Sequence, residues 1–135
     1  MDLSDIPFGV PVILQSLSDS LSLQNPHGSI QATCMNNNRD VYEQMILHRV
    51  GDTVTIESAR NGRFLQVDQT GECVFGTKVA GEAEHFKVET NCAGALIFVP
   101  TNHTYGCNLA CDSGGIVYCG RQRGVWKIVA PMKSC

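Results

Sequence analysis

Apolar and polar residues alternate through residues 54–76 in three short bursts, Val54/Ile56, Leu65/Val67 and Cys73/Phe75, separated by Asn61-Gly62 and Thr70-Gly71. A period of two puts one face of each burst into a core, so the stretch reads as three half-buried strands joined by tight turns. It is also a repeat unit. Val12-Ile13-Leu14, Val54-Thr55-Ile56 and Leu96-Ile97-Phe98 recur 42 residues apart, which implies three units. Each offers a second alternating pair (Leu21 and Leu23, Leu65 and Val67, Leu109 and Cys111) followed by a glycine turn at Gly28, Gly71 and Gly115. A third pair comes next: Ile30 and Ala32, Cys73 and Phe75, Val117 and Cys119. The unit closes on a large apolar residue two places before an aliphatic one, at Met45 and Leu47, Phe86 and Val88, Trp126 and Ile128. Four strands in each of three units predict twelve strands.

Units of this length also occur in propellers, but a propeller needs about four blades or more and this chain supplies three units. The remaining way to bury one face of twelve short strands in pseudo-threefold order is a small closed barrel capped by hairpins. The expected fold is therefore all-β, a single β-trefoil domain spanning residues 1–135 with repeats at about 10–51, 52–94 and 95–135. Closure also removes exposed strand edges.

Composition changes this picture little. A chain of 135 residues buries roughly 65 to 70% of its unfolded surface and needs no disulfide or metal staple. The formal charge of −3 is spread along the chain with no basic stripe, so neither a nucleic-acid nor a membrane partner is expected. Acidic residues in the first ten positions and the lack of an apolar run there argue against a signal peptide, which predicts a cytoplasmic location and reduced thiols for the seven cysteines.

Candidate chemistry is sparse. Cys73 is set beside Ile30 and Val117, Cys111 beside Leu23 and Val67, and Cys119 beside Ala32 and Phe75, so these three thiols take apolar positions of the sister repeats. Cys34, Cys92, Cys107 and Cys135 fall at turns or the terminus and are the thiols expected to react. Cys107 and Cys111 on one expected strand stand about 13 Å apart at about 3.3 Å per residue, too far to share an ion or a disulfide. His27, His48, His85 and His103 show no metal-ligand spacing, and no phosphate-binding glycine loop is present. Asp112-Ser113-Gly114-Gly115 echoes a serine-protease nucleophile motif, but it falls on a turn that aligns with Gln69-Thr70-Gly71, where such residues are favoured for backbone reasons. No enzymatic activity, cofactor or metal is expected. The Gln-x-Trp motif of ricin-like sugar sites is absent, and Trp126 aligns with Met45 and Phe86 as a core residue.

Ser58, Gly62-Arg63-Phe64-Leu65, Asp68, Gly71 and Glu84-His85-Phe86-Lys87-Val88 resemble the repeat of fascin-like and hisactophilin-like trefoils, with weaker copies at Asp19-Ser20-Leu21-Ser22-Leu23 and Tyr105-Gly106-Cys107-Asn108-Leu109. That resemblance implies actin binding or bundling. In size and inferred architecture the chain is also similar to the fungal trefoil protease inhibitors, the mycocypins and cocaprins. There, loops between early strands occupy cysteine-protease clefts, and an asparagine between the fifth and sixth strands serves asparagine-specific legumain, the place that Asn61 holds here. Because a scaffold needs its core and a partner reads its loops, the departures from threefold symmetry mark the candidate site. They are Asn36, Asn37, Asn38 and Arg39 between the third and fourth expected strands, Arg60, Asn61, Gly62 and Arg63 between the fifth and sixth, and Asn102, His103 and Tyr105 between the ninth and tenth. Asn61-Gly62 by itself predicts a type I′ hairpin turn. The expected function is a monomeric, non-enzymatic protease inhibitor acting through these loops. Actin binding and carbohydrate binding stand as alternatives.

Overall fold

The computed structural model describes residues 6–68, 70–81, 84–90, 94–101, 108–120 and 124–129. The alternating bursts become ten strands: β1 (Pro11–Ser16), β2 (Gln44–Val50), β3 (Thr53–Ser58), β4 (Phe64–Val67), β5 (Cys73–Thr77), β6 (Phe86–Thr90), β7 (Leu96–Pro100), β8 (Asn108–Cys111), β9 (Val117–Gly120) and β10 (Trp126–Val129). No α-helix occurs among the described residues.

Six strands close into a ring in the order β1, β2, β3, β6, β7, β10 and back to β1, every pair antiparallel. The register repeats three times. Met45 lies opposite Val12 and Ser58, Phe86 opposite Val54 and Pro100, and Trp126 opposite Leu96 and Ser16. Inside the ring, Val12 and Leu14, Val54 and Ile56, and Leu96 and Phe98 meet Met45, Leu47, Phe86 and Trp126, all buried. Phe86 and Phe98 meet edge to face at 6.3 Å, a favoured geometry for aromatic pairs. The hairpins β4–β5 and β8–β9 cap one end of the ring, and the whole is a β-trefoil.

In the first repeat the third hairpin is reduced to isolated bridges, Gln15 to Ser22, Gln24 to Thr33, Gln31 to Val74 and Thr33 to Ile116. Other backbone groups of it are paired elsewhere: the Ser22 amide donates to Asn36 O at 2.7 Å, and the Asn25 amide to Tyr42 O at 2.9 Å. Pro26 has no amide to offer. Two of the twelve expected strands thus exist only as bridges.

This hairpin also sits two residues from its sequence-based alignment. Ser16 N bonds Leu21 O as Ser58 N bonds Arg63 O, which makes Leu23, not Leu21, the counterpart of Leu65. Likewise Cys34, Phe75 and Cys119 donate to Gly115, Ile30 and Gly71, so Ala32 and Cys34 match Cys73 and Phe75. Ile30, expected in the core, is 55% exposed. A shift of two leaves every side chain on the same face, so alternation cannot detect it. Gly71 permits the close approach at the cap axis: its φ is +91°, and a Cβ there would lie 2.6 Å from the Cys119 carbonyl oxygen.

Substitutions separate the two registers. Leu23→Ala, at a site with no exposed surface, is expected to cost about 2–5 kcal/mol, whereas Ile30→Ala changes stability by no more than about 0.5 kcal/mol. Urea unfolding of both variants checks this, and equal losses would restore the sequence register.

Candidate functional site

The loop that leaves the first hairpin for β2 is tied down at both ends. At its start, Asn36 O accepts the Ser22 amide at 2.7 Å, and Asn36 Oδ1 accepts the Asn38 amide at 3.1 Å. At its end, Asp40 Oδ1 accepts the Tyr42 amide at 3.2 Å, while Asp40 O accepts Glu43 N at 3.0 Å and Gln44 N at 3.1 Å. Between these ties Asn37 and Asn38 are exposed and Asn36 and Arg39 half-buried, with exposed apolar residues on both shoulders, Met35 and Val41.

The turn from β3 to β4 is built the opposite way. Arg60, Asn61, Gly62 and Arg63 are all half-buried. Asn61 Oδ1 accepts the Arg63 amide at 3.1 Å and Asn25 Nδ2 at 3.2 Å. Asn25, itself buried, also donates to Ser58 Oγ at 2.9 Å. Arg60 donates to Asn25 O at 3.2 Å, Asn25 Oδ1 at 3.3 Å and Pro26 O at 3.2 Å, and its guanidinium lies 5.3 Å from the Tyr42 ring centroid. Arg63 reaches Gly76 O at 3.1 Å. The turn is therefore a staple between the first two repeats, and through Tyr42 it abuts the base of the 35–41 loop.

The turn is not type I′. That turn needs positive φ at both central residues, whereas only Gly62, at +72°, has it. The chain closes instead by a wider bond from Gly62 N to Ser58 O at 2.9 Å, matched in the first repeat by Ser20 N to Ser16 O at 2.8 Å. Ser20 takes the same left-handed conformation, φ 57°. Asn102, His103 and Tyr105 lie outside the described residues, as do Cys92, Cys107 and Cys135.

Among the thiols, Cys73 and Cys119 are buried as expected, with their sulfurs 3.9 Å apart, and Cys111 is half-buried. Cys34 corrects the expectation of a reactive turn thiol. It has no exposed surface, and burial, with Cys111 beside it, pushes its pKa well above the usual thiol range. The hairpin's two-residue shift is the cause, since it moves Cys34 into the position of Phe75 and Cys119.

Asp112 closes a turn by accepting Gly114 N at 2.8 Å and Ile116 N at 3.0 Å. This turn, with Leu21, Cys34 and Met35, lines an open cleft of about 240 Å³. Asp68 plays the same part in the second repeat, accepting the amides of Thr70 at 2.9 Å and Glu72 at 3.0 Å. The Thr70 hydroxyl donates to it as well, and these bonds hold its carboxyl below the ordinary aspartate range. Trp126 is core, its Nε1 donating to Leu109 O at 2.9 Å. His48 bonds Glu57 at 2.6 Å and His85 bonds the Thr53 hydroxyl at 2.9 Å. Among the described residues no three His, Cys, Asp or Glu side chains gather as metal ligands.

Sequence reasoning missed Asn25, Tyr42 and Glu43, which with Asp40 shape both loops. One signal was available: Asp40 and Glu43 stand where the second repeat has Gly81 and Glu84, counting back from Met45 and Phe86.

No family model matches the chain, and no curated protein does. Solved structures do match. The designed threefold-symmetric protein ThreeFoil superposes with a TM-score of 0.77 at 14% identity, over 88% of this chain and 97% of its own. The ricin B-like lectin of Macrolepiota procera, solved in complex with lactose, gives 0.76 at 14% identity over 94% of this chain and 99% of its own. The GlcNAcα1-4Gal-releasing endo-β-galactosidase of Clostridium perfringens gives 0.76 at 12% identity over 91% of this chain but 32% of the enzyme. These likenesses show a fold shared by lectins and other proteins. At such identities a shared site does not follow.

Asn25→Ala should remove the side-chain bonds of the staple between the first two repeats, leaving Ser58 and Asn61 short of a donor while the Arg60 bonds to the backbone remain, a loss of about 1–3 kcal/mol on urea unfolding. In iodoacetamide labelling of the native protein, Cys34, Cys73 and Cys119 should stay unmodified until denaturant is added. Labelling of Cys34 at the rate of a free thiol would contradict its placement.

Proposed function

We propose that the chain is a non-enzymatic binding protein that inhibits a protease through the 35–41 loop. The observation that carries this reading is the contrast between the two described loops. The 35–41 loop holds its ends by backbone hydrogen bonds and leaves Asn37 and Asn38 exposed between Met35 and Val41. A tip fixed at both ends loses little conformational entropy on entering a cleft, and apolar shoulders add area that loses water on contact. The 60–63 turn suits this role less well, because both hydrogen bonds accepted by the Asn61 carboxamide oxygen come from within the fold. A legumain reading therefore moves from Asn61 to Asn37 or Asn38.

The carbohydrate reading rests on the cleft between Leu21, Met35 and the 112–115 turn, where the Asp112 carboxylate offers an acceptor beside apolar surface. The lactose complex of the Macrolepiota lectin adds interest to it. Actin binding rests on the middle-repeat motif alone, and those residues serve the scaffold: Leu65 is buried and Arg63 bonds Gly76 O.

Incubation with papain, a legumain and pepsin tests the first reading. Inhibition of at least one at micromolar concentration is expected, weakened about tenfold or more, equivalent to about 1.4 kcal/mol, by Asn37→Ala with Asn38→Ala. No inhibition of any of them would end the inhibitor reading. Binding on a glycan array, abolished by Asp112→Ala, would favour the cleft instead.

A further inference from the structure

Glu43 is fully buried, and its Oε2 meets no hydrogen-bond donor. Among the described residues only Ser22 Oγ shares that condition. Its other oxygen, Oε1, accepts the Asp40 amide at 3.3 Å. Besides burial, the groups acting on the carboxyl are Asp40, whose side chain raises its pKa, and Gln24 from the first hairpin, which lowers it. Gln24 Oε1 itself accepts the Thr33 hydroxyl at 2.8 Å. Arg60 is engaged elsewhere, stacked on Tyr42 and bonded to Asn25 and Pro26. Arg39 precedes Asp40 in the chain and has an interaction of its own.

A buried carboxylate oxygen without a donor is costly. A proton removes the difficulty, because the acid O–H can then donate to the Asp40 carboxylate. We propose that Glu43 keeps its proton in the folded protein and donates it to the Asp40 carboxylate, forming a latch on the 35–41 loop that is closed in acid and released when that proton leaves. The inference rests on the reading of that loop as the recognition element only for its consequence on binding. The latch itself is a property of the fold.

The second repeat shows what the latch adds. Gly81 N bonds Glu84 Oε1 at 2.8 Å and Glu84 N bonds Gly81 O at 3.2 Å, the same pair of bonds that Asp40 and Glu43 make. Glycine stands there in place of the second carboxyl. The turn therefore forms without it, and the Asp40 carboxyl is what the first copy adds.

Burial first, and the Asp40 carboxylate second, push the Glu43 pKa up from 4.5 to about 7. The sign follows from linkage. The unfolded chain gives up this proton from about 4.5 upward while the folded chain keeps it, so the stability it contributes is whole in acid and gone above about 7. Once both carboxylates are charged they repel, and the Asp40 cap on Tyr42 N is the bond that loosens.

The test is a carbon-13 carboxyl and nitrogen-15 amide NMR titration of the whole protein from about pH 4 to 9. The Glu43 carboxyl should titrate near 7, and the Asn38, Asp40 and Tyr42 amides should shift with the same midpoint. Asp40→Gly, copied from the second repeat, should lower the Glu43 midpoint while leaving the part of the rise that burial causes. Glu43→Gln should abolish the amide transition. An ordinary Glu43 midpoint in the wild type, or amides that still shift near neutrality in Glu43→Gln, would overturn the latch. If the latch is present and no protease is inhibited, the functional reading alone falls. If an inhibited protease loses wild-type binding between about pH 6 and 8 while Glu43→Gln keeps it, both stand.

Discussion

Closure of the six-stranded ring is the constraint from which the other features follow. Each of Met45, Phe86 and Trp126 stands opposite a residue of two different strands, so one large apolar side chain per repeat joins its own repeat to the next. With all three in place the ring has no free edge, and the residues facing inward have nowhere to go but each other. The cap inherits the same order. Leu23, Leu65 and Leu109 are buried beneath it, and the Cys34, Phe75 and Cys119 backbones bond across it.

A scaffold with three equivalent positions also shows where one copy has been changed. The turn before the closing strand has the same bonds in the first two repeats, with Asp40 in one and Gly81 in the other. The turn after the first strand likewise closes the same way at Ser20 and at Gly62. Where copies agree, the residues are explained by the fold. Where they differ, as at Asp40, the fold offers no reason for the difference, and function becomes the better place to look.

Much of the architecture was legible because the repeat supplied three readings of one pattern. The first and last strands of each unit align as alternation predicts, since Val12, Val54 and Leu96 do face Met45, Phe86 and Trp126. The middle strands of the first repeat misaligned by two, and this carried Ile30 wrongly into the core and left Cys34 wrongly at the surface. Alternation has a period of two, so it is blind to that error. Of the candidate loops, sequence located the 36–39 and 60–63 segments but could not tell an exposed tip from an inward staple. That difference lies in Asn25, which is distant in sequence from Ser58 and Asn61 and touches both.

The amino-acid order alone determined most of the strands, the threefold repetition and the identity of most core side chains, because these depend on local periodicity and on the burial of apolar surface. Tertiary structure alone decided the register of the first hairpin, the protection of Cys34, the inward role of the 60–63 turn and the burial of Glu43 behind an exposed Asp40. Each of these rests on a contact between distant segments or on the removal of water from a polar group. Neither is encoded in any window of the chain short enough to read by pattern.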